Sequence, residues 1–141
     1  MLDFSISWLP FVVVAFVNFF VSWLYYSPGM PWFKAWLVGI GLDPNKKETT
    51  AEDRKAMPRL MGGAAIATLL FSYGIQVIVH SLKASDFISG SIIGLVLWFA
   101  FVVTHSLNTQ FEGRKPVVLL INNAFYLVAY IVFGGIVAVW K

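Results

Sequence analysis

The chain has 141 residues, of which 59% are hydrophobic, 17% aromatic and only 12% charged, with a net charge of +3 and no cysteine. A water-soluble domain carries about 25% charged residues, so water is not the main solvent of this protein. The absence of cysteine excludes a disulfide framework, a thiol nucleophile and a Cys metal cage, and two histidines with few acids give no basis for a metal site or another cofactor.

Four runs free of Asp, Glu, Lys and Arg organise the sequence: residues 6–26, 60–82, 87–108 and 116–140. Each is close to the twenty residues or so that cross a hydrocarbon core as a helix. Helix is the form expected, because a chain in lipid must satisfy its own backbone polar groups. The fold class expected is an all-α integral membrane four-helix bundle, with a short interfacial helix between spans 1 and 2. The whole of residues 1–141 reads as one transmembrane domain.

The first run follows Asp3 rather than a basic stretch and ends in Tyr-Tyr-Ser-Pro-Gly, so it reads as a retained span and not a cleaved signal. Ser27-Pro28 and Met30-Pro31 stop it, since a residue before proline leaves the α region. In the loop 27–59, Pro31 opens a short helix. Phe33, Trp36, Leu37 and Ile40 share one face of it, and Gly41 ends it. Trp32 and Trp36 are expected to anchor this helix in the membrane interface. Two overlapping capping boxes, Thr49 with Glu52 and Thr50 with Asp53, mark the next helix start. That helix should run into the second span, bending at Pro58.

Charge sets an expected orientation. Lys34, Lys46, Lys47, Arg54, Lys55 and Arg59 lie in the loop 27–59, and Arg114 and Lys115 in the turn 109–115; Lys83 and Lys141 fall on the other side. Eight basic residues against two place both basic loops in the cytoplasm and both termini outside a plasma or inner membrane. Asp43, Glu48, Glu52 and Asp53 leave the inverse insertion open. The basic excess beside apolar spans points to the lipid bilayer as partner rather than to nucleic acid.

Helices in lipid associate through small residues and hydrogen bonds. Gly62, Gly63, Ala64 and Ala65 on the second span, Gly90 and Gly94 on the third, and Gly134 and Gly135 on the fourth supply close contacts. Four short helices have little interior for their polar groups, so a homo-oligomer is expected. Those groups collect at one level. At 100° per residue Gly90, Gly94, Phe101, His105 and Asn108 share a face of the third span. Asn122, Asn123 and Tyr126 mark the fourth, and Asn18 the first. An unpaired amide in hydrocarbon costs several kcal/mol. Asn18, His105, Asn108, Asn122, Asn123 and Tyr126 are therefore either glue between helices or the wall of a polar pocket. A second stripe, Tyr73, Gln76 and His80, faces the outer end of the second span.

The stretches holding Tyr26, Ser27 and Pro28, then Phe33, Trp36 and Gly41, and later Phe111, Glu112 and Asn122, resemble the DUF1761 family of small membrane proteins. Met30-Pro31 departs from a Phe-Gly pair at that place. The resemblance implies a four-span helical protein and no particular activity. The spans hold no pair of carboxylates and no phosphate loop, and Thr104 and His105 point apart on a helix, so no enzyme chemistry stands out. Two functions remain: an oligomeric bundle with a pocket or path for a small neutral solute, or a non-transporting scaffold or lipid- or protein-interaction module.

Overall fold

A computed structural model describes residues 1–45 and 50–140. Lys46, Lys47, Glu48, Thr49 and Lys141 lie outside the described residues, and with them the Thr49–Glu52 box and two of the loop lysines. The elements are α1 (Trp8–Tyr25), α2 (Phe33–Gly39), α3 (Ala51–Ser81), α4 (Phe87–Leu97), a π-helical segment (Trp98–Val103), α5 (Thr104–Asn108), a 3₁₀ turn (Thr109–Glu112) and α6 (Pro116–Val139). The pieces from Phe87 to Glu112 form one continuous rod. Among the described residues the protein is therefore all-α, and four rods are long and apolar enough to cross a membrane.

The ends of these rods follow local chemistry. Thr50 Oγ1 accepts from the Asp53 amide at 3.2 Å and Asp53 Oδ2 accepts from the Thr50 amide at 2.9 Å, a capping box that satisfies two donors at the start of α3. α3 continues through Pro58 without interruption. It stops at Lys83, whose left-handed φ of 57° lets the amides of Lys83 and Ala84 bond the carbonyls of His80 and Val79. Gly41 ends α2 in the same way with φ 83°, as expected. Asp86 caps α4 through the Ser89 amide, and Pro116 opens α6 at a position whose N–H has no helical partner.

α6 is the hub, touching α1, α2, α3, α4 and α5. Its tightest seam is with α4. A Cβ on Gly90 would collide with the Gly134 carbonyl, and one on Gly94 with the Tyr130 carbonyl. Those glycines are what lets the two backbones touch. A small core of Val14, Ile75, Val79, Phe125, Phe133 and Val137 joins α1, α3 and α6. Large side chains such as Phe16, Ile66, Leu70, Phe99 and Leu120 remain exposed, which water would penalise and lipid does not.

Candidate functional site

Two asparagines of α6 are committed to neighbouring elements. Asn122 Oδ1 accepts from Tyr26 Oη at 2.9 Å and from Trp36 Nε1 at 3.2 Å. The amide thus ties the end of α1 and the short helix α2 to α6. Tyr25 Oη adds a bond to the Ile121 carbonyl. Trp32 donates to the Tyr25 carbonyl and packs its ring 4.5 Å from the Tyr25 ring. Both indoles expected to anchor the interface therefore spend their N–H groups inside the protein. Asn123 Oδ1 accepts from Ser106 Oγ at 2.8 Å, and its carbonyl accepts from Trp98 Nε1.

Ser106, not His105, holds that contact because of the π-helical segment. Bonding of the i→i+5 kind takes in an extra residue per turn, so the contact face lags by about one position. The face that begins at Gly90 and Gly94 passes through Trp98 to Ser106 and Thr109, both buried. Phe101, His105 and Asn108, expected on the glycine face, are exposed instead.

His105 points to a different place. A cavity of about 510 Å³ lies among all four rods. It is lined by Asn18, Ser22 and Tyr26 at the α1 end, Thr68 and Phe71 of α3, Phe101 and His105 of the third rod, and Tyr126 and Tyr130 of α6. Of the six residues expected together, the cavity gathers Asn18, His105 and Tyr126. Asn108 is not in its wall, and Asn122 and Asn123 are spent on Tyr26, Trp36 and Ser106. Ser22, Tyr26 and Tyr130 are wall residues that the amide and imidazole pattern did not single out for it.

Asn18 is the distinctive member. It is only 6% exposed, yet its Oδ1 has no hydrogen-bond partner among the described residues. A buried polar atom left alone costs about 1–3 kcal/mol, so an isolated apolar replacement would be favoured on stability alone. No carboxylate, lysine or arginine lines the cavity, so nothing there neutralises a full charge.

The second stripe splits as well. Gln76 is fully buried and clasps the Ser7 backbone, its Nε2 donating to the carbonyl and its Oε1 accepting from the amide, each at 3.2 Å. Asp3 donates its backbone N–H to Ser81 Oγ at 2.7 Å, so the chain before α1 is laid against the end of α3. His80 borders a cavity of about 420 Å³ with Asp3, Ser5, Ser7 and Lys83, and its Nε2 is unpartnered among the described residues. The Asp3 carboxyl is held below its usual range by hydrogen bonds from Ser5. Tyr73 is half-buried and lines neither cavity. Among the described residues no group of three His, Cys, Asp or Glu side chains is placed to hold a metal.

Tyr26, Trp36 and Asn122, which lie far apart in sequence and carry the family resemblance, meet in one hydrogen-bonded knot. Comparison with curated proteins and with solved structures gives no match. The family model described as "Protein of unknown function (DUF1761)" matches residues 9–138, nearly the whole chain, and the protein belongs to that family.

Proposed function

We infer that this multi-span membrane protein holds a small, uncharged ligand in the cavity between its rods, and that an oligomer passes such a solute across or within the bilayer. The observation that carries this is Asn18: a buried acceptor, without a partner among the described residues, in the wall of a cavity of about 510 Å³, a volume in the range of small-molecule sites. Tyrosines and His105 beside it supply polar groups without a fixed charge. In this reading the loops 27–59 and 109–115 face the cytoplasm, following the positive-inside rule. The homo-oligomer would use the stretch of α3 at Gly62 and Gly63, where an added side chain meets open space.

The test is flux. Protein in liposomes should speed the entry of glycerol or urea, followed by light scattering, relative to empty vesicles. Asn18→Leu and His105→Leu should return entry to the empty-vesicle rate with helix content and particle size unchanged. Wild-type vesicles no faster than empty ones would overturn the transport reading. They would favour the alternative, a scaffold or lipid- or protein-interaction module. Asn122 and Asn123 support that alternative, because their bonds hold helices together and leave no acceptor facing the cavity.

A further inference from the structure

Asn18 borders two spaces. Besides the central cavity it lines a groove of about 290 Å³ between α1 and α6, whose other walls are aliphatic or aromatic. Phe125 is shared by both spaces. The groove is open to the outside of the bundle: its rims, Val17 and Val21 on α1 and Val128 and Val132 on α6, are 37–61% exposed. These rims lie within two of the rods long enough to cross a membrane, so a bilayer would bathe the groove in hydrocarbon and not in water. α1 and α6 are thus parted along a lipid-facing seam in which Asn18 is the amide-bearing wall residue.

We propose that this groove is a lateral binding site for a membrane-dissolved amphiphile: an alkyl tail against Val17, Val21, Val128 and Val132, and one hydroxyl-type donor on Asn18 Oδ1. The proposal rests on the reading of the central cavity as a ligand site and names the chemistry of what enters it. Three features select this occupant over an ordinary acyl chain or a water-soluble solute. Apart from Asn18, and from Tyr25 whose hydroxyl is spent on the Ile121 carbonyl, the groove walls are apolar. The Asn18 acceptor has no protein donor among the described residues. In a hydrocarbon surrounding, a donor that reaches it has no competing water. A phospholipid tail satisfies the walls and leaves the acceptor bare. A long-chain alcohol satisfies both. The shared residues Asn18 and Phe125 put the bound hydroxyl at the partition between groove and central cavity, which makes the groove a side entrance from the membrane.

The experiment uses full-length protein in phosphatidylcholine vesicles and a ten-carbon alcohol carrying a mid-chain diazirine. After irradiation, adducts are located by peptide mass spectrometry, with 1-decanol or decane as competitor at equal membrane concentration. Adducts should concentrate on the peptides holding Val17, Val21, Val128 and Val132. Decanol should displace the probe roughly 2- to 10-fold better than decane, the size of one net hydrogen bond. Asn18→Leu, which replaces the carboxamide by an alkyl group of similar size, should erase that preference while the tail still labels the groove. Equal displacement by decanol and decane in the wild type overturns the proposal, as does a preference that survives Asn18→Leu. Labelling spread evenly over the lipid-facing residues of all four rods overturns it too. The solute reading fails differently: groove labelling with a donor preference, but no glycerol or urea flux, leaves the amphiphile site standing and removes the solute path.

Discussion

The seam between α4 and α6 and the gap around Asn18 are built from the same residue types and put them to opposite uses. In the seam, Gly90, Gly94 and Gly134 press backbone on backbone, and Asn123 is bonded to Ser106. On α3, by contrast, Gly62 and Gly63 would meet nothing if given side chains, and in the gap Asn18 has an acceptor with no partner among the described residues. Composition alone does not tell glue from site. What separates them is whether a neighbouring backbone arrives within reach. The loose side of this bundle is also where its polar wall stands.

The largest effect that sharpens this contrast is at Gly94. Gly94→Val forces a side chain into the Tyr130 carbonyl, where backbone cannot step aside, and should cost about 3 kcal/mol, the upper end for overpacking. Gly62→Ala, facing open space, should gain up to about 1 kcal/mol from helix propensity. Unfolding in mixed detergent micelles measures both, and equal losses at the two positions would erase the distinction between seam and gap.

Next come the asparagines. Asn122→Leu strands the Tyr26 hydroxyl and the Trp36 indole N–H and should destabilise by about 2 kcal/mol. Asn18→Leu strands nothing and should be neutral or stabilising by about 1 kcal/mol in the same assay, while abolishing ligand-dependent behaviour. If Asn18→Leu loses as much stability as Asn122→Leu, the cavity wall is ordinary glue.

The smallest effect is set by pH. The Asp86 carboxylate is held below its ordinary value of 3.8 by the Ser89 amide and hydroxyl. A carboxyl depressed in the folded state lends stability above its unfolded pKa and loses it as pH falls through the folded value. Stability should therefore decline below pH 3.8 in the wild type and decline less steeply in Asp86→Asn. Parallel curves would show that the cap contributes nothing to the start of α4.

Much of the architecture was legible in the sequence for simple reasons. Runs without charge mark the rods, Thr50 and Asp53 mark a helix start, and Gly41 marks an end. The site was less legible. A uniform 100° per residue puts His105 on the face of Gly90 and Gly94, and the π-helical segment between them breaks that step. Nothing in Trp-Phe-Ala-Phe-Val-Val announces the change. Asn122 looked available because its partners, Tyr26 at the end of α1 and Trp36 of α2, are brought onto α6 only by tertiary packing. Gly39 shows how close that packing is: a side chain there would strike Val118. Trp32 and Trp36 likewise have the composition of interfacial anchors, but the first nitrogen bonds the Tyr25 carbonyl at the end of α1 and the second bonds Asn122.

The six residues from Trp98 to Val103 work as a phase shifter within an otherwise regular rod. Rewinding that stretch as α-helix with every residue kept would turn the distal segment by about one position and bring His105 into step with the glycines. The imidazole would then rotate toward Asn123, the Ser106 hydroxyl would swing away, and the chamber among the rods would lose His105 from its wall. Whether the histidine borders the chamber or sits in the helix contact is thus set by the hydrogen-bond register of one turn, some way along the rod from the histidine itself.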